Sequence, residues 1–198
     1  MFGKKKISLY NSYRRLSKEE KMNPRVKLAR EYAIRKHGDQ MYGDQPYRHH
    51  LDEVYAIIAQ LNLGEDYEIA AYLHDVKEDA NISEEELIEN FGERVAKLVL
   101  AVSGEGANRH ERHEDTKRKL QEYPDAIILK MADRLANMRS SKVNKPSLFK
   151  TYCKEHVSFT PLFSNAHPVL WQWLQDELPS ATLTNQSQVV ATTKPKMH

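Results

Sequence analysis

The sequence predicts an all-α fold, a single helical bundle with a flexible C-terminal tail. Apolar residues recur at helical spacing through most of the chain, and several segments begin and end with helix-capping chemistry. No stretch shows the apolar-polar alternation of a strand. Residues 1–22 are basic and polar and read as an arm. Asn23-Pro24 reads as an N-cap with proline at the first helical position. Val26, Leu28, Ala29, Tyr32 and Ala33 then carry a helix as far as His37. Gly38 to Pro46, with glycines, aspartates and a proline, reads as a loop.

A second helix is expected from about Arg48, with Leu51, Val54, Ile57, Ile58 and Leu61 on its buried stripe. A turn at 62–65 leads into a helix that carries His74-Asp75 and, one turn on, Glu78-Asp79. Ser83-Glu84-Glu85-Glu86 is a capping-box pattern, and that helix stops near Phe91-Gly92. Val95, Leu98, Val99 and Val102 mark the next helix. Residues 103–108 form a glycine-bearing loop, and Arg109 to Glu122 a highly charged, solvated helix. The strongest pattern spans Asp125–Arg139, with Ile127, Ile128, Met131, Leu135 and Met138 on its apolar face. Short helices follow near 147–156 and 167–177, the second with Trp171 and Trp173. From Pro179 the composition predicts disorder. The expected organisation is a basic arm (1–22), a core (23–141), a helical extension (142–178) and a tail (179–198). By pattern count the bundle has about six or seven core helices.

Composition narrows the functional classes. The formal net charge of +2, from 30 basic and 28 acidic residues, offers no one-signed field for duplex nucleic acid or a membrane surface. Cys153 is the only cysteine, which excludes an internal disulfide and a Cys-based zinc site and suits a reducing, cytoplasmic setting. The basic N-terminus lacks the apolar run of a signal peptide, and no stretch approaches the roughly 18 apolar residues of a membrane span.

The chemistry concentrates at His74-Asp75. On a helix His74 and Glu78 share one face, as do Asp75 and Asp79. One turn can then present an imidazole and a carboxylate to a metal, with two more carboxylates beside it. The bland alternative is a solvated acidic face. A site of nitrogen and oxygen ligands needs three or four groups. His50 is a third candidate, with His49 as its competitor. Asp133, at the edge of a strongly apolar face, is the fourth, unless it is simply paired with Arg134 or Arg139. The remaining histidines (His37, His110, His113, His156, His167, His198) read as surface or satisfied packing residues.

The order His50, His74-Asp75, Asp133 is that of the HD metal-dependent phosphohydrolase superfamily. The strings His37-Gly38-Asp39-Gln40, Pro46-Tyr47-Arg48-His49-His50, Leu73-His74-Asp75-Val76-Lys77-Glu78-Asp79, Phe91-Gly92 and Lys130 to Arg139 resemble the hydrolase domain of RelA/SpoT-type enzymes. The closest look is to the free-standing small alarmone hydrolases. The resemblance covers about residues 24–141.

This resemblance selects His50 over His49 and implies one Mn²⁺ held by His50, His74, Asp75 and Asp133, a donor set that also suits Fe or Zn. It implies removal of the 3′-pyrophosphate of (p)ppGpp, with Glu78 and Asp79 orienting a water and moving its proton. Asn137 and Ser140 fall where the family contacts the nucleoside, and Lys130 where a phosphate or structural contact is expected. Arg109 and Arg112 can reach the diphosphates of so anionic a substrate, or else belong to a solvated helix. One departure stands out. The family's Arg-Lys-Ser after the glutamine is replaced by Met41-Tyr42-Gly43-Asp44, one residue shorter and without a cation, so Tyr42 is left as the stacking candidate. That loop keeps a second reading open, another nucleotide such as a nucleoside monophosphate, NADPH or an adenine alarmone. A third reading is a non-catalytic, antitoxin-like binding module. The expected partner is a small nucleotide rather than duplex nucleic acid or membrane, and a homo-oligomer is compatible with the sequence.

Overall fold

The computed structural model describes residues 22–180, so the basic arm up to residue 21, the tail from residue 181 and His198 lie outside the described residues. Ten α-helices make up almost all of the described chain. The first, α1 (Pro24–His37), starts as expected: the Asn23 side chain accepts from the Arg25 N–H, and Pro24 occupies the first turn. Val26, Ala29 and Ala33 face inward. Leu28, two residues and so about 200° round from Val26, is 55% exposed and does not join the stripe.

The expected loop at 38–46 contains a minimal hairpin. Strands β1 (Met41–Tyr42) and β2 (Gln45–Pro46) pair antiparallel, with Met41 opposite Pro46 and Tyr42 opposite Gln45. Gly43 turns the chain at φ +65°, which a side chain would resist. Next come α2 (Arg48–Ala59) and α3 (Glu65–Leu73). The helix expected to run through His74 to Asp79 is broken: α3 ends at Leu73 and α4 (Val76–Ala80) starts afresh, with Asp75 at φ −103°, ψ −5°.

In α5 (Glu84–Phe91) Ser83 caps the Glu86 N–H. The Glu86 carboxylate does not complete the box, accepting instead from Tyr32 Oη (2.6 Å) and Lys36 Nζ (2.8 Å) on α1. Helices α6 (Glu93–Val102) and α7 (Arg109–Glu122) follow as expected. A 3₁₀ turn at Pro124–Ala126 leads into α8 (Ile127–Asn144), which runs on past the Arg139 end of its apolar pattern. It is buried on nearly every side, because α2, α3, α6, α9 (Pro146–Phe163) and α10 (Pro168–Glu177) all pack against it. The first of the two C-terminal helices outruns the expected 147–156, while the second keeps close to 167–177. Cys153, His156, Thr160 and Phe163 form a buried stripe that carries α9 (Pro146–Phe163) through Pro161. Leu170 and Leu174 dock α10 (Pro168–Glu177) on α8. Fully buried Tyr72, Leu51, Ile58, Ile69 and Leu129 hold α2, α3 and α8 together, each large apolar side chain contributing about 1.5–3 kcal/mol by burial. That rigid junction is where His50, His74 and Asp133 emerge.

Candidate metal centre and nucleotide cleft

Four side chains from three parts of the chain meet at the α2–α3–α8 junction. His50 comes from the first turn of α2, His74 and Asp75 from the break between α3 and α4, and Asp133 from the middle of α8. The break has a use: outside a regular helix, adjacent residues can both turn to one point, which the 100° step of a helix forbids. His50 Nε2 lies 3.1 Å from His74 Nε2, and 3.5 Å from both Asp75 Oδ2 and Asp133 Oδ1. His74 Nε2 lies 2.8 Å from Asp75 Oδ2 and 3.8 Å from Asp133 Oδ1.

The tautomer of His74 is decided by its neighbour. Its Nδ1–H donates to the Ala71 carbonyl at 2.8 Å, so in the neutral imidazole it is Nε2 that presents a lone pair to the cluster. His50, His74 and Asp133 each bring one ligand atom within 4.8 Å of the others, a donor set for a divalent cation, and Asp75 Oδ2 reaches both imidazoles. The charges respond to one another as such a set must. Burial lowers the basicity of both imidazoles, yet the carboxylates overcome it. Hydrogen bonds donated to Asp133 and Asp75 raise His50 to about 9, and Asp75 raises His74. Burial raises the two aspartates, but the histidines hold Asp75 well below the usual carboxylate range, and Lys130 and His50 do the same for Asp133. Neither arginine suggested as a partner for Asp133 pairs with it. Its cation is Lys130 (Nζ to Oδ2, 3.0 Å), while Arg134 goes to Glu155 and Arg139 to Glu177.

A shell of aromatic and amide groups holds the ligands. Tyr47 Oη donates to Asp75 Oδ2 at 2.5 Å. Tyr42 stacks on the His50 ring (4.7 Å between centroids) and donates to Asn137 Oδ1 at 2.9 Å; Asn137 in turn donates to Asp133 Oδ1 at 2.5 Å. Glu78 stands at the mouth of the cleft and accepts the Gly104 N–H at 2.7 Å. Glycine is required at 104: a Cβ there would collide with the Arg112 carbonyl and meet Thr116 Oγ1 at 2.6 Å. Burial on its cleft side raises the Glu78 carboxyl above the ordinary range, against the lowering influence of Lys130.

A cleft of about 280 Å³ opens over the cluster, and His50, Asp75, Glu78, Lys130, Asp133 and Asn137 all line it. Tyr42, Arg109 and Arg112 line it too. Three predicted residues fall outside its lining: His74, which is buried, Asp79 and Ser140. Asp79 is exposed and accepts from Gln40 Nε2 (2.8 Å), and Ser140 lies in a neighbouring groove of about 240 Å³ on the other side of Tyr42. His49 is exposed and pairs with Glu53.

Several residues that the sequence reading passed over belong to the cleft: Tyr47, His113, Thr116, Arg134 and Tyr152. Tyr47 stood inside a quoted string, so its signal was present. Tyr152 gave none, because its helix showed only a weak pattern. Two histidines correct the expectation of surface or satisfied positions. His113 lines the cleft, and His156 is fully buried with neither ring nitrogen hydrogen-bonded. His37 is buried, stacked on Tyr47 and bonded to Gln40 through Nδ1, and His167 caps α10 through the Leu170 N–H. No helix among the described residues is long and apolar enough to cross a membrane.

Comparison with known proteins agrees with this geometry. A family model described as an HD domain matches residues 29–165. The chain is similar to guanosine-3′,5′-bis(diphosphate) 3′-pyrophosphohydrolase of Aquifex aeolicus, 37% identical over 144 residues, which is 69% of this chain and 21% of that protein. It is similar to the protein of the same name from Haemophilus influenzae, 34% identical over 143 residues, 68% of this chain and 21% of that one. The chain thus spans about a fifth of the length of these relatives. Among solved structures, a metazoan orthologue of SpoT, described as hydrolysing ppGpp and acting in starvation responses, matches with a TM-score of 0.71. The match covers 79% of this chain and 94% of that one at 24% identity, a likeness of fold.

Proposed function

The chain belongs to the HD domain family, and from that premise we propose that it is a metal-dependent phosphohydrolase that removes the 3′-pyrophosphate of (p)ppGpp, leaving GDP or GTP. The observation that carries the reading is the convergence of His50, His74, Asp75 and Asp133 on one point, with the His74 lone pair turned inward by Ala71. The similarity to two proteins named for this reaction supplies the substrate.

These four residues would hold the ion, proposed as Mn²⁺, with Fe and Zn served by the same donors. When bound, it supplies Lewis acidity that acidifies a water and neutralises phosphoryl charge. The chain's own groups do the rest. Glu78, with one oxygen held by the Gly104 N–H, takes the proton of the attacking water. A bond forms between the water oxygen and phosphorus, the bond to the 3′ oxygen breaks, and a proton passes to that oxygen. Asp79 acts from outside the cleft lining, fixing Gln40 and the hairpin base. Lys130 offers its remaining N–H groups to phosphate, and Tyr42, Asn137 and Ser140 border the nucleoside end. The core and the helical extension act together, since Tyr152 of α9 lines the same cleft. A cytoplasmic setting fits the single, buried thiol.

The test is pyrophosphate release from ppGpp with Mn²⁺, comparing wild type with Asp75→Ala. We expect turnover in the wild type and a loss on the order of 10³-fold in the variant, the scale of several kcal/mol of Lewis-acid stabilisation. No release from Mn-replete wild type would overturn the reading. The cation-free hairpin, with Tyr42 engaged by His50 and Asn137, would then favour another nucleotide.

A further inference from the structure

Three guanidinium groups reach the cleft wall away from the imidazole–carboxylate cluster: Arg109 and Arg112 on α7, and Arg134 on α8. Their circumstances differ. Arg109 is committed to Glu155 of α9 through Nε (2.5 Å) and Nη2 (3.0 Å), a two-point contact that uses one edge of its fork. Arg134 is buried, 3% exposed, and gives Nη1 to the same carboxylate at 3.0 Å. The Tyr152 ring stands against both, 5.2 Å from the Arg109 guanidinium and 5.4 Å from that of Arg134. Its hydroxyl donates to Asn137 Oδ1 at 3.2 Å, and Asn137 holds Asp133. Glu155 does not line the cleft; it stands behind the groups that do.

Arg112 is free by contrast. Its one hydrogen bond is a 3.5 Å contact from Nη1 to the Gly106 carbonyl, and it meets no carboxylate among the described residues. It borders both the cleft, beside Lys130 and Arg134, and an adjoining cavity of about 540 Å³ whose lining includes Glu78, Asp79 and Glu105 as well as Lys77, so its anion-binding side is the cleft. A cation so placed has its hydrogen-bonding capacity available for a ligand anion.

Building on the phosphohydrolase reading, we propose that Glu155 is a positioning residue that holds Arg109 and Arg134 as a fixed cationic wall. Arg112 is then the arginine that takes a substrate phosphate other than the one under attack. That phosphate belongs to the 5′-diphosphate or is the outer phosphate of the leaving pyrophosphate; the chemistry is shared, and two probes separate them. GDP carries the first and inorganic pyrophosphate the second.

The experiment titrates each probe calorimetrically into metal-loaded wild type, Arg112→Ala, Arg112→Lys, Arg109→Ala, Glu155→Gln and the Arg109→Ala/Glu155→Gln double variant, and measures kcat and KM on ppGpp. Arg112→Ala should weaken one probe about tenfold or more, the worth of one charge-assisted hydrogen bond, with partial recovery in Arg112→Lys. Its KM should rise while kcat stays within about twofold. Arg109→Ala, Glu155→Gln and their combination should weaken the same probe to a similar degree, since the two act as one unit. Arg109 is largely exposed, so its variant tests the pair even if Glu155→Gln does not fold. Both probes bound normally by Arg112→Ala, or additive losses for Arg109 and Glu155, would overturn the proposal. The expected binding pattern without ppGpp turnover in the wild type would uphold the wall and overturn the alarmone reading.

Discussion

The imidazoles buried at two places in this molecule behave in opposite ways. At the α2–α3–α8 junction, His50 and His74 face Asp75 and Asp133, and both are pushed toward the charged form, His50 to about 9. At the seam of α9 and α10, His156 is as deeply buried, stacks on Trp171 (5.6 Å, 18°) and has no hydrogen-bond partner; burial, then Arg134, drive it down to about 3. Burial alone therefore turns a histidine into an aromatic filler. Convergent carboxylates turn it into half of a cation site.

Three changes test that contrast, beginning with the largest effect. Glu78→Gln removes the proposed proton acceptor while leaving the four ligands, so turnover should fall about 10²- to 10⁴-fold with metal content retained. The base works only when ionised, and burial raises its carboxyl. The acid limb of the pH–rate profile should thus lie above the range of an ordinary carboxylate and vanish in the variant. Retained activity with an unchanged profile would remove Glu78 from the mechanism.

Tyr47→Phe comes next. It deletes only the 2.5 Å hydrogen bond to Asp75 Oδ2. Losing such an outer-shell partner should weaken metal affinity about 10- to 100-fold, measured by competition with a chelator. Unaltered affinity would mean that Asp75 needs no orienting partner.

The smallest change is at the other region. His156→Leu replaces an unsatisfied buried imidazole by an apolar side chain of similar size, and should stabilise the fold by about 1 kcal/mol at neutral pH. The folded-state value near 3 lies below the ordinary 6.5, so the unfolded chain binds the extra proton between them. Wild-type stability from this group is therefore full above about pH 6.5 and declines as pH falls toward 3, on the order of 2 kcal/mol by pH 5. Urea unfolding at pH 7.5 and pH 5 should show the gap between variant and wild type widening in acid. A constant gap would indicate that His156 finds a partner on protonation.

What was legible in the sequence follows the range of the forces involved. Asn23-Pro24, Ser83 and Gly92 act within one helical turn, so the helix ends they set were readable from neighbours. The string around His74-Asp75 was readable as a candidate ligand pair, but the interruption of its helix between Leu73 and Val76, where His50 and Asp133 of other helices meet it, was not.

By itself, the sequence determined the helical class and several helix ends, because capping and periodicity are local properties, and it offered His50, His74, Asp75 and Asp133 as candidates. Tertiary structure alone decided that Asp133 takes Lys130 rather than an arginine and that His113 enters the cleft while His156 is sealed away. It also decided that Glu155 gathers Arg109 from 46 residues away and Arg134 from 21. The reason is physical. An ion pair leaves no mark on hydrophobic spacing, and its partner is chosen only when α7, α8 and α9 pack together.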